Sequence, residues 1–232
     1  MFDVDLARKF LLRNYDPALK LVRASPEVEP NVYYHYNDNY LAMLALRDYS
    51  QVSSILANQI QKSPTARIVV LDGQPFDVTW ANETVTLFTL ADKIVKTEVK
   101  NLMLPQLSVD QYADIAAFNV IGLHGLGLVN ETKKALVKAL GLFFDGVGII
   151  DDPLKKLYNV YKSALFIVAA QRISYYDKNI GQLLNFVAGA QVGGSALLHY
   201  GGVIADFDGS KYVGDTNTET TADSILAFKD IV

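Results

Sequence analysis

The chain has 232 residues, half of them hydrophobic and 20% charged, with a formal net charge of −4 and no cysteine. That balance suits a globular chain with a large core and excludes a nucleic-acid binder, whose affinity rests on Lys and Arg neutralising phosphates; the densest basic feature is the pair Lys155-Lys156. The missing cysteines exclude disulfides, thiolate zinc sites and a cysteine nucleophile.

Met1 is followed by Phe2-Asp3-Val4-Asp5, acid where a signal peptide would be basic. The chain therefore reads either as cytoplasmic or as the mature form of an extracellular protein. The longest apolar runs, such as Ala164 to Ala170, fall far short of the ~20 residues a membrane span needs.

A first helix is predicted from about Asp3 to Arg13, with Val4, Leu6, Phe10 and Leu11 at helical spacing. Asn14-Tyr15-Asp16-Pro17 stops it, because the residue before a proline is pushed out of the α region. Ser25-Pro26 and Glu29-Pro30 mark a loop. The aromatic run Tyr33-Tyr34-His35-Tyr36 then leads into Asn37-Asp38-Asn39, read as N-cap chemistry for a long helix from Tyr40 through Ile60.

Ser63-Pro64 ends that helix and the period changes to two. Arg67 to Leu71, Phe76 to Trp80, Thr84 to Leu90 and Lys93 to Val99 read as strands, with Asp72-Gly73 and Ala91-Asp92 as turns. Residues 66–100 are thus expected to form a small antiparallel sheet, packed by one face on the helices and closed by Pro105. Helical periodicity returns near 109–127, 131–144, 156–175, 178–191 and 217–230. Turn clusters separate these segments: Asp145 to Gly148, Asp151 to Pro153, Gly193-Gly194, Gly201-Gly202 and Asp206 to Gly209.

Three helix starts share an asparagine five residues before an alanine: Asn37 and Ala42, Asn159 and Ala164, Asn217 and Ala222. The physical reading is a capped start followed by a small residue that lets a neighbouring helix approach, as in repeat architectures. Tyr36-Asn37-Asp38-Asn39-Tyr40-Leu41-Ala42 resembles the inner-helix starts of (α/α) toroids of the six-hairpin glycosidase type. Phe144 to Gly148 with Tyr158 to Leu165, and Gly214 to Ala222, are similar to further starts of that kind. The Asn-Tyr-Asp-Pro and Asn-Asp-Asn runs together also resemble uncharacterised archaeal proteins.

The resemblance covers about half the chain in short motifs. It implies a mainly α fold, a helical-hairpin toroid-like array forming one domain over residues 1–232, with the β insertion at 66–100 inside it. With three or four inner helices in place of six, the ring would be incomplete. In such toroids the inner-helix N-termini face a central funnel that takes carbohydrate. The resemblance therefore implies catalytic roles for Asp38 and Glu219, and ligand contacts from Tyr36, Asn39, Tyr40, Tyr161 and Asn217. This chain departs from sugar clefts in having Trp80 alone where such clefts are rich in tryptophan.

Other chemistry is weaker in the sequence. Asp38 and Glu219 have a plainer reading as helix caps or dipole partners, and act as a glycosidase pair only if ~5–9.5 Å apart. His35 sits among tyrosines, while His124 and His199 lack ligand spacing. Asp145, Asp151 and Asp152, or Asp206 and Asp208, could offer oxygen to Ca²⁺, but neither set matches an EF-hand and turns are rich in Asp. No phosphate loop or serine nucleophile elbow is present. The sequence calls for no cofactor and no metal. Two functions follow: binding or hydrolysis of carbohydrate through the inner-helix ends, or a non-catalytic scaffold or interaction role, at a cell surface for instance.

Overall fold

A computed structural model describes residues 1–27, 31–60, 67–73, 77–151, 157–194 and 198–229. Helix α1 (Val4–Arg13) is capped by Asp3, whose Oδ1 accepts from the Leu6 N–H at 2.9 Å. The short strands β1 (Tyr15–Asp16) and β2 (Leu21–Val22) follow, paired antiparallel. Strand β3 (Val32–His35) runs directly into α2 (Tyr36–Ala45), and α3 (Ser50–Ile60) comes after a break at 46–49. The helix expected to be continuous from Tyr40 to Ile60 is therefore two helices. Helix α2 also starts at Tyr36, so Asn37, Asp38 and Asn39 form its first turn and do not cap it.

Residues Arg67–Asp72 form a 3-10 helix where a strand is predicted. Ile68, Val69, Val70 and Leu71 are all buried, and four consecutive buried side chains suit a tight helical turn against α2 and the next helix better than a one-faced strand. Of the expected strand from Phe76 to Trp80, residues 74–76 lie outside the described residues and Val78–Trp80 is a turn. The remaining two strands form as read: β4 (Asn82–Leu90) and β5 (Lys93–Lys100) pair antiparallel around Ala91-Asp92. Their sheet is mixed, because β3 joins β5 in parallel, with His35 opposite Lys96.

Helices α4 (Ala113–Gly125) and α5 (Val129–Phe143) follow, then β6 (Tyr158–Asn159), α6 (Val160–Arg172) and α7 (Lys178–Gly189). Strands β7 (Ile204–Phe207) and β8 (Tyr212–Thr216) lead to α8 (Thr218–Phe228). The third sheet has the order β6-β7-β8, antiparallel throughout, so β6 and β8 point the same way. Of the described residues 48% are helical and 19% lie in strands, which makes the fold mixed α and β. This overturns the expected mainly α toroid of helical hairpins.

The recurring unit is instead a short strand running straight into a buried helix: β3 into α2, β6 into α6, β8 into α8. Helix α8 packs between α2 and α6. Ala42, Ala164 and Ala222 are each fully buried on these three helices, where a missing side chain lets the backbones close up. One apolar core runs through the chain from Phe2 to Ala227, and a small second cluster lies at the β3–β5 face. Among the described residues no helix is long and apolar enough to cross a membrane.

Candidate functional site

Four helix N-termini meet at one end of the molecule, and hydrogen bonds from neighbouring loops fix them there. Asn39, in the first turn of α2, accepts from the Val22 N–H at 2.6 Å and donates to the Val22 carbonyl at 3.0 Å. Two residues on, the Ala24 carbonyl accepts from the Thr218 N–H at 2.8 Å, at the start of α8. Segment 22–24 thus ties the start of α2 to that of α8. Parallel β6 and β8 set α6 and α8 in the same direction. Asp151 joins the remaining pair: one oxygen accepts from the Ala113 N–H of α4 at 2.8 Å, and the other pairs with Lys162 of α6.

Asp38, Glu219 and Asp223 gather at this end. Burial, then the charges of Glu219 and Glu98, push the Asp38 carboxyl well above the ordinary range. Burial, then Glu98 and Asp114, push Glu219 up to about 7, with the Lys162 ammonium opposing. Asp223 lies one turn beyond Glu219, is 2% exposed, and is raised by burial and by both other carboxylates. Its Oδ1 has no hydrogen-bond partner among the described residues. Burial raises these groups because it penalises the charged form, and neighbouring negative charge adds to the effect. Asp38 and Glu219 keep a partial opening to solvent, whereas Asp223 is sealed.

Tyr161 belongs to the same cluster. Burial first, then Asp114, Glu219, Asp151 and Asp223, push its phenol up, so it remains a neutral hydrogen-bonding group. Glu98 reaches the cluster from β5 and accepts from Asn82 Nδ2 at 2.9 Å. The helix starts that carry these side chains supply partial positive charge, which favours anionic or hydroxyl-rich groups at this end.

Of the residues singled out in the sequence, the structure brings Asp38, Glu219 and Tyr161 together. Asn217 stands at the same end but caps α8, its Oδ1 accepting from the Thr220 N–H at 2.7 Å. Asn39 is fully buried as the tie to Val22 and is sealed from any ligand. Tyr36 packs into the small cluster with Leu19, Val32 and Val95, away from the carboxylates. Tyr40 sits in the main core, where its neighbouring charges are Asp72 and Arg47. Of these three only Tyr36 faces the sheet, because β3 runs directly into the first turn of α2.

Sequence reasoning missed Asp223, Glu98, Asp114 and Lys162. Glu219 and Asp223 at an i, i+4 spacing share one helix face, and that signal was available. The others arrive from separate elements and only folding unites them.

The Ca²⁺ readings resolve into turns and ties. Asp145 accepts from the Val147 N–H and the Tyr158 hydroxyl, Asp206 from Asn159 Nδ2, and Asp208 from the Ser210 N–H. Asp152 lies outside the described residues. Among the described residues no three His, Asp or Glu side chains converge closely enough to hold a metal ion. Burial and the nearby Lys96 push the His35 imidazole down, so it is neutral near pH 7. No family model, curated protein or solved structure matches the chain.

Proposed function

We propose that the end of the molecule bearing Asp38, Glu219 and Tyr161 binds oligosaccharide and cleaves its glycosidic bonds. The observation that carries this reading is the gathering of Asp38 and Glu219 at one end of the molecule, partly open to water, where burial raises both carboxyls and the charge of Glu219 adds to the rise of Asp38. Glycoside hydrolysis needs one protonated and one ionised carboxyl flanking the scissile bond, and two half-buried carboxyls, one raised by the charge of the other, meet that need near neutral pH. Glu219, at about 7, ionises first and serves as the carboxylate, while Asp38, raised well above the ordinary range with the charge of Glu219 among the causes, keeps its proton and serves as the general acid. Tyr161 offers a ring face and a neutral hydroxyl for the sugar.

The test is a panel of soluble α- and β-linked oligosaccharides assayed for reducing-end release and for binding. Asp38→Asn and Glu219→Gln are near-isosteric and should abolish turnover while the melting transition persists. Turnover that survives both substitutions, or a panel that gives neither binding nor release, overturns the reading.

A second reading is favoured by α8, which fills the centre where a sugar-binding ring would open a funnel. Together with the exposed Leu87, Phe88 and Leu90 on the edge strand β4, it supports a non-catalytic scaffold that meets partners through that strand. In this case Phe88→Glu would disturb association, and the carboxyl substitutions would not.

A further inference from the structure

At the opposite end of the same helices lies a half-open cavity of about 410 Å³, lined by the C-terminal turns of α2, α4, α6 and α8. Among the described residues its charged lining is basic or imidazole: Arg47, His124, Arg172 and Lys229, with no carboxylate. Cations at helix C-termini complement the macrodipole, and this accounts for some of them. It does not account for all of them. Arg47 is already neutralised by Asp72 outside the cavity. Arg172 spends one guanidinium nitrogen on the Leu71 carbonyl at 2.6 Å and meets no carboxylate among the described residues. The Lys229 ammonium has no ion-pair partner among the described residues. His124 Nδ1 is buried and has no hydrogen-bond partner among the described residues.

Cationic side chains that meet no carboxylate among the described residues, gathered around a preformed cavity of this size, are what an anion site requires. Leu44, Val168 and Leu226 supply an apolar wall, and the exposed ring of Tyr176 stands at the lining. We propose that this cavity binds a small organic anion, a carboxylate or phosphate group carried on a compact apolar body. The oxyanion meets Arg172, Lys229 and His124, and the body lies along the leucine and valine wall. The guanidinium fork gives planar, two-pronged recognition and Lys229 adds a point charge. This site is separate from the carboxylate cluster and stands whether or not that cluster cleaves sugars.

The experiment titrates inorganic phosphate and malonate into the intact chain at constant ionic strength, following backbone amide shifts by NMR. The expected result is a saturable response confined to the helix ends around residues 44–47, 122–126, 168–172 and 226–229. Arg172→Gln with Lys229→Gln should weaken binding about tenfold or more, since both remove charge-assisted donors. Lys229→Gln alone serves if the double variant folds poorly. Saturation with phosphate only assigns a phosphate-bearing ligand, and saturation with both assigns a general oxyanion site. Shifts that never saturate, that scatter over the surface, or that survive the substitutions overturn the proposal.

Discussion

Lys162 and Asp151 form an ion pair between the first turn of α6 and the segment ahead of it, with only 11% and 20% of their side chains exposed. Because Asp151 also accepts from the Ala113 N–H, one carboxylate anchors a buried cation and caps a second helix. Asp151→Ala should therefore cost more than an exposed ion pair does. It strands the Lys162 ammonium and frees a helix N–H, and the expected loss is about 3 kcal/mol in denaturant unfolding. Lys162→Met in the same chain should recover most of it, because the stranded charge is then gone. A single-variant loss below about 1 kcal/mol would place the pair among solvated surface contacts.

The carboxylate cluster makes stability depend on pH with an unusual sign. A carboxyl whose folded pKa lies above its unfolded one binds its proton more tightly in the native state, so its contribution is fully present below the unfolded pKa and fades as pH rises to the folded one. For Glu219 that window runs from its ordinary value of 4.5 to about 7, and Asp38 and Asp223 act in the same direction. Asp16, Asp145 and Asp208 are held below the ordinary range by hydrogen bonds, and they withdraw stability only as pH falls through the acid range. The melting temperature should thus peak at mildly acidic pH and fall toward pH 7.5. Glu219→Gln should flatten that slope by up to about 3 kcal/mol, at roughly 1.4 kcal/mol per pH unit. Melting curves across pH 4 to 8 check it, and a wild-type Tm that rises steadily with pH contradicts it.

What could be read in the sequence follows from what each signal measures. Local chemistry was legible: Asp3 before α1, the Ala91-Asp92 turn between β4 and β5, and the three packed alanines found their places, whereas of the three asparagines ahead of them only Asn217 caps its helix by a side-chain hydrogen bond. Periodicity misled where burial was complete. Ile68 to Leu71 looks like a strand, but a run of four apolar residues fits any element buried all round. The strands β3, β6, β7 and β8 are only two to five residues long, too short to set a period. Their pairing, which makes the fold mixed, was thus invisible, and the resemblance of three helix starts suggested a toroid. Of the candidate site, the Asp38–Glu219 association was legible through the matching helix starts. Glu98 was not, because a β-strand residue joins that cluster only through the parallel pairing of β3 with β5.

Helix α6 is core on nearly every side, with Lys162 through Ala170 all buried. Leu165, 1% exposed, touches the main apolar cluster and has no polar face to move toward. Leu165→Ala should cost about 2–5 kcal/mol, the transfer term plus an unfilled cavity. Equilibrium urea unfolding gives the value directly, and a loss under about 0.5 kcal/mol would mean that α6 is peripheral.

The loop before β7 passes close under α1. Gly201 has φ +85°, and a Cβ there would stand 2.4 Å from the Leu6 carbonyl oxygen. Backbone blocks it on one side and the left-handed conformation on the other, so Gly201→Ala carries both steric overlap and strain. The expected loss is about 2 kcal/mol or more. Gly193→Ala, with open space around it and no positive φ, is the matched control and should be nearly silent.

Glu219 provides a direct probe of the carboxylate cluster through its neighbours. Glu98 is the largest charged cause of its raised pKa after burial, and Lys162 opposes that rise. Glu98→Gln removes a negative charge and should lower the Glu219 pKa from about 7 toward its ordinary 4.5. Lys162→Met removes the opposing cation and should raise it. Asp223→Asn should change it little, because Asp223 is itself pushed well up and is still protonated while Glu219 titrates. Carboxyl carbon chemical shifts followed by NMR from pH 3 to 9 resolve all three variants. If the pair also performs hydrolysis, the acidic limb of the rate profile moves with Glu219: to lower pH in Glu98→Gln and to higher pH in Lys162→Met. A Glu219 titration that ignores both substitutions means that these charges do not face one another, and the candidate site loses its electrostatic basis.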